Sequence, residues 1–76
     1  MSRIFTDSDL LTWEAYASAG KWGLPNQPKI VFNCVSDPST AARYMTFDGH
    51  NGEAEDAVHQ AGGDRLREML ASSKPL

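Results

Sequence analysis

Cysteine is scarce in this 76-residue chain, which has only Cys34. One thiol cannot form an internal disulfide or supply a zinc site by itself, so the sequence excludes a disulfide-stapled mini-protein and predicts a fold held by packing. Long apolar runs are also missing, since no stretch approaches the roughly 18 residues of a membrane-spanning helix. Residues 1–7 lack the apolar stretch of a secretory signal. We therefore expect one small cytoplasmic domain, residues 1–76, without membrane association.

The chain also has fewer positive than negative side chains. Ten Asp and Glu residues outnumber seven Lys and Arg residues, which gives a net charge of −3. The stretch 48–60 holds four acids and no Lys or Arg, and such a segment repels phosphate, so a nucleic-acid binder ranks third among the functional hypotheses. A chain of this length buries only about 60% of the surface that it exposes when unfolded, which leaves little volume for a deep substrate cleft.

Residues 1–47 alternate in hydrophobicity with a period of two, which predicts β-strands. Residues 3–6 and 11–20 are expected to form a hairpin around Asp7-Ser8-Asp9. Residues 29–35 and 41–47, rich in β-branched and aromatic side chains, predict two more strands joined by a turn at Asp37-Pro38. Residues 18–28 contain two glycines and two prolines, which indicates a long loop.

Residues 51–73 follow a helical period instead. A first helix is expected to begin at Asn51 or Gly52. The pair Gly62-Gly63 would cost about 2 kcal/mol inside a helix, so it predicts a break and a second helix capped by Asp64, with one kinked helix as the alternative. Residues 72–76 are expected to fray. The predicted fold is a single α+β domain: an antiparallel β-meander of three or four strands with one or two C-terminal helices packed on one face.

Four short segments resemble a group of short, uncharacterised bacterial proteins built as a sheet followed by helices. They are Arg3-x-Phe5-x-Asp7, Trp13-Glu14-x-Tyr16, Ile30-Val31-Phe32 and Leu66-x-x-Met69-Leu70, and together they span most of the chain. The chain departs from the arginine-rich fourth strand of that group, since it has only Arg43 there. The resemblance implies a bacterial cytoplasmic origin and transfers no activity and no site residue.

The uncovered face of the sheet supplies the main functional hypothesis. Two short helices cover only one sheet face, yet residues 29–35 are apolar on both, so Tyr16 and Val31 are expected on the face that the helices do not reach. Trp22 and Leu24 lie in the adjoining loop, and indole is a frequent anchor of protein interfaces. We interpret the chain as a non-enzymatic accessory or adaptor protein that needs no cofactor. It would bind another protein, or itself, through Trp22 with Leu24, Tyr16 and Val31 as supporting contacts, unless Trp22 folds back over the core.

A metal-binding protein or small metal-dependent enzyme is the alternative. Glu55 and His59 are four residues apart on the first helix, and His50 lies close by in the preceding loop, so the segment 48–59 offers carboxylate and imidazole ligands. The spacing matches neither His-Glu-x-x-His nor an EF-hand loop, which favours a solvated acidic helix start. Cys34 alternates with core residues and is expected to be a small buried hydrophobe rather than a nucleophile.

Overall fold

The computed structural model describes residues 2–18, 28–49 and 51–76 as a five-stranded antiparallel sheet with two helices. The elements are β1 (Arg3–Thr6), β2 (Thr12–Ser18), β3 (Lys29–Cys34), β4 (Arg43–Thr46), α1 (Asn51–Gln60), α2 (Gly63–Ala71) and β5 (Lys74–Pro75). The strands lie side by side in the order β1-β2-β3-β4-β5, and every neighbouring pair is antiparallel. The predicted α+β meander is confirmed. In the described part of the chain, neither helix is long and apolar enough to cross a membrane.

The fifth strand corrects the prediction of three or four strands and of a frayed tail at 72–76. Lys74 pairs with Tyr44 and Pro75 with Arg43. Arg43 fixes this segment because its Nε donates to Ser73 Oγ over 2.8 Å and its Nη2 donates to the Ser73 carbonyl over 2.6 Å. A guanidinium that makes two such bonds orders the segment in a way that local propensity does not reveal.

The helical region divides at Gly62, as the glycine pair predicts, so two helices form rather than one kinked helix. The cap is different from the predicted one. Gly62, with φ −73° and ψ 168°, is the N-cap of α2, and Asp64 lies inside the first turn. The Asp64 carboxylate at this position still interacts favourably with the positive end of the helix dipole. It also accepts a hydrogen bond from Arg67 one turn later.

Both helices pack on the same sheet face and enclose the core. The sheet supplies five buried side chains, Phe5, Trp13, Ala15, Ile30 and Phe32. The helices supply five more, Ala54, Val58, Leu66, Met69 and Leu70, and Ala61 in the connection between the helices adds a sixth. Phe5 meets Phe32 edge to face, with ring centroids 6.2 Å apart and an interplanar angle of 82°, a favoured geometry for aromatic pairs. Trp13 is also in the core, and Cys34 packs against this core but is half-buried rather than buried as expected.

Candidate interaction face

The sheet face opposite the helices carries a row of aromatic and apolar side chains. Tyr16 pairs with Val31, and Val31 pairs with Tyr44. Their chain neighbours Ala15, Ile30 and Phe32 belong to the core, and successive side chains of a strand point to opposite faces. Tyr16, Val31 and Tyr44 therefore lie side by side on the face away from the helices, and we name these three residues the tyrosine row.

Val31 is only 8% exposed, although no helix of the described chain packs on this face. Its cross-strand neighbours Tyr16 and Tyr44 are half-buried, and directly opposed side chains on a sheet are close enough to cover one another. The Nζ of Lys29 lies 4.9 Å from the centroid of the Tyr44 ring, which is within cation–π range. The tyrosine row is therefore held on a rigid sheet, with its central valine shielded and its outer rings partly open.

The rest of this face is mostly polar. Glu14, between β1 and β3, accepts a hydrogen bond from Ser2 Oγ over 2.8 Å. Two apolar side chains lie more exposed at its margins, Ile4 at 58% and Val35 at 54%. The charged side chains that share the face with the tyrosine row are Glu14, Lys29 and Lys74, as their register with its residues shows.

Two of the predicted contact residues are brought together by this register, since Tyr16 and Val31 are direct partners. Trp22 and Leu24 lie outside the described residues, so their part in a contact stays a prediction. The sequence hypothesis did not include Tyr44 in the contact set. The position of the predicted turn would have identified Tyr44, because strand pairing centred on Asp37-Pro38 places residue 44 opposite residue 31.

The strand arginines serve the fold rather than the open face. The Nη1 of Arg3 donates to the carbonyls of Val58 and His59 at the end of α1, where cationic groups are favourable. Arg43 is bound to Ser73. Two of the four cations on the described strands are thus engaged on the helix side, and only Lys29 and Lys74 share the open face.

Two of the three predicted metal ligands lie among the described residues. Glu55 and His59 are exposed on α1, and His50 lies outside the described residues. Among residues 2–18, 28–49 and 51–76, no group of three or more His, Cys, Asp and Glu side chains is placed to hold a metal ion. The metal hypothesis stays a prediction that depends on His50.

The β1–β2 turn presents the second notable surface feature. Asp7 accepts hydrogen bonds from the backbone N of Asp9 (2.8 Å), the backbone N of Leu11 (2.9 Å) and Trp13 Nε1 (2.8 Å). Burial raises the pKa of the Asp7 carboxyl, but these hydrogen bonds outweigh it and hold the pKa below 3.8. Leu10, within the same turn, has φ +66° and is 83% exposed.

The β3–β4 turn lies beside it. Thr12 N donates to Ser36 Oγ over 2.9 Å, which ties the two turns together. Asp37 accepts hydrogen bonds from Ser39 Oγ at 2.7 Å, Ser39 N at 3.0 Å and Thr40 Oγ1 at 3.0 Å. These bonds lower the pKa of Asp37 below its usual 3.8. This end of the sheet is therefore negatively charged at neutral pH.

Comparison with known proteins found no match, whether among models of protein families, curated proteins or solved structures. The resemblance to short bacterial proteins and the cytoplasmic location accordingly stay expectations.

Proposed function

We propose that this protein is a non-enzymatic accessory or adaptor protein that binds another protein through its open sheet face. The observation that carries the proposal is the tyrosine row, in which two half-buried tyrosines flank Val31 on the face opposite the helices. Tyrosine is enriched in protein interfaces because it offers a large amphipathic surface with few rotatable bonds. A row of this kind on three hydrogen-bonded strands loses little conformational freedom when a partner covers it.

The chemistry of the face favours a protein partner over a nucleic acid. Base stacking needs an open ring face, but the ammonium of Lys29 lies over the Tyr44 ring. Glu14 adds negative charge to the same face, and Arg3 and Arg43 bind groups on the helix side. A phosphate backbone would therefore meet few cations, whereas a protein surface with matching polar groups would not need them.

The test is affinity purification of the lightly tagged protein from its native host, followed by mass spectrometry of what stays bound after nuclease treatment. A double variant, Tyr16→Ser with Tyr44→Ser, removes both rings of the tyrosine row. The matched control is Gln60→Ser, an exposed position of α1. A stoichiometric protein that the wild type and the control retain and the double variant loses supports the proposal.

Two results would contradict it. If the wild type is recovered as a bare monomer, the proposed partner does not exist. If the double variant retains the partner, the contact lies on a surface other than the tyrosine row. Nucleic acid in place of protein in an untreated sample, with binding that weakens steeply as salt rises, would point to the third hypothesis instead.

Trp22 is proposed as the anchor of the same contact, with Leu24 beside it. Replacing Trp22 with alanine should weaken partner binding by about 2 kcal/mol or more, which is the usual effect of a central interface tryptophan, and should leave the melting temperature almost unchanged. Loss of thermal stability without a binding defect would instead make Trp22 a core residue.

A further inference from the structure

The β1–β2 turn presents an unusual side chain to solvent. Leu10 has φ +66°, which is the left-handed region. A residue with a Cβ is strained there, and turns of this kind usually have glycine or asparagine at such a position. The Leu10 side chain is 83% exposed, so it contributes almost nothing to the core. The three hydrogen bonds that Asp7 accepts hold the turn in shape. We name residues 7–11 the leucine tip.

Negative charge predominates at the leucine tip, although Arg67 donates a hydrogen bond to the carbonyl of Thr6 just before it. The joined turns, residues 7–12 and 35–42, contain Asp7, Asp9 and Asp37 and no Lys or Arg. Thr12 and Ser36 hold the two turns against each other. A surface that accepts this tip should therefore combine an apolar recess with a positive rim.

The other edge of the sheet has a recess that combines apolar and polar lining with a lysine on its rim. A depression of about 220 Å³ is lined by Tyr44, Met45, Thr46, Ser72 and Lys74. We name it the β4 recess. It lies where β5 stops, because β5 pairs with Arg43 and Tyr44 only. Lys74 stands on its rim, and the ammonium of Lys29 lies over the Tyr44 ring.

We propose that copies of this chain associate head to tail, with Leu10 of one copy seated in the β4 recess of the next and its aspartates facing Lys74. The recess is large enough, because a cavity of about 150 Å³ already accepts benzene. The leucine tip joins β1 to β2 and the recess lies at β4 and β5, on opposite edges of the sheet, so one copy cannot fill its own recess. Such a contact is heterologous, and it builds a ring or an open chain of copies.

The proposed contact is weak because it buries little surface area. One leucine and a few rim charges bury far less than the roughly 1,000 Å² of a stable interface. We expect a dissociation constant on the order of 0.1–1 mM, weakened further by added salt. The β4 recess shares Tyr44 with the tyrosine row, so the two contacts are told apart by Leu10→Gly, which leaves that row unchanged.

The experiment is a series of two-dimensional ¹H–¹⁵N NMR spectra of the purified protein from about 0.05 to 2 mM at low salt, a range that brackets the expected dissociation constant. Concentration should shift the backbone amides of residues 8–11 and of residues 44–46 and 72–74, and should slow translational diffusion. Leu10→Gly keeps the turn and Lys74→Glu changes an exposed side chain; each should reduce the shifts at least tenfold. Ile4→Ser, which removes another exposed apolar side chain, should leave them unchanged.

Mixing the two inactive variants provides the decisive arm. Leu10→Gly retains the recess and Lys74→Glu retains the leucine tip, so together they should form a pair that stops at the dimer. Absence of concentration-dependent shifts in the wild type overturns the proposal, as does failure of the mixture to pair. Shifts confined to the tyrosine row and insensitive to Leu10→Gly also overturn it, while leaving that row as a protein-binding surface.

Discussion

Asp7 holds the first hairpin to the core through a single carboxylate. Replacing Asp7 with alanine removes the acceptor of the Trp13 indole N–H, and Trp13 is 3% exposed. An unsatisfied buried donor costs about 1–3 kcal/mol, whereas the two turn N–H groups of Asp9 and Leu11 can rebind water, which limits their loss to about 0.5 kcal/mol each. We expect Asp7→Ala to lower the free energy of unfolding by about 2–4 kcal/mol at pH 7.

Acid should reduce this difference. The folded-state pKa of Asp7 lies below its usual 3.8, so the folded protein binds that proton less readily than the unfolded chain does. The stabilisation is then fully present above the ordinary pKa and is lost as the pH falls through the lowered one. Asp37 also has a lowered pKa, but it is present in both proteins, so the difference between wild type and Asp7→Ala isolates Asp7.

The assay is urea denaturation followed by far-UV circular dichroism at pH 7 and pH 3. Asp7→Asn is the matched variant, because its remaining carbonyl oxygen can still accept the turn N–H groups while its amide opposes the Trp13 N–H with another donor. It should lose only the contribution of the Trp13 hydrogen bond, about 1–3 kcal/mol. A cost of less than about 0.5 kcal/mol for Asp7→Ala at pH 7, or an equal cost at both pH values, would refute the reasoning.

Three further changes test the packing and the backbone. Ser73→Ala removes the acceptor of the Arg43 Nε and should cost about 1–2 kcal/mol and speed amide hydrogen exchange in β5; unchanged exchange would show that this bond does not hold the strand. Phe32→Ala, at a fully buried position, should cost about 3–5 kcal/mol by urea denaturation, while Val35→Ala on the surface should cost less than about 0.5 kcal/mol; similar costs would contradict the core assignment. Leu10→Gly should raise the melting temperature slightly, since a left-handed penalty of about 1–2 kcal/mol exceeds the roughly 0.5–1 kcal/mol entropy cost of glycine; a lower melting temperature would mean that Leu10 packs against the protein.

Alternation and glycine placement made most of the fold predictable. Trp13 and Ala15 share the core face because they are two residues apart in a strand, and this period depends on backbone geometry alone. The pair Gly62-Gly63 separates α1 from α2, because a helix interior penalises glycine and the pair lies at the start of α2 instead. The exact cap was not predictable, since Gly62 needs only an extended backbone to serve as N-cap and Asp64 is the stronger capping type by composition.

The strand β5 could not be predicted in the same way. Two residues, one of them a proline, carry no periodicity, and β5 depends on the contact between Arg43 and Ser73, which are 30 residues apart. Side-chain contacts of that range follow from the assembled fold rather than from local preference.

The candidate site was predictable only in part, for a related reason. The alternation of side chains along β2 and β3 places Tyr16 and Val31 on the face away from the core. Adding Tyr44 to the tyrosine row requires the register between β3 and β4. Leu10 gave no signal, because a left-handed turn position is normally recognised by glycine or asparagine and this one holds a leucine.

The late return of the chain to β4 sets the order in which the sheet can assemble. The pairs β1–β2, β2–β3 and β3–β4 join strands that are consecutive in the chain with no helix of the described residues between them, so their contacts close short loops and should form early. Strand β5 can dock only after both helices have brought Ser73 to Arg43 across 30 residues. We expect β5 to be the last strand to join and the first to detach, in an opening that leaves the core intact and alternates the sheet between five strands and four.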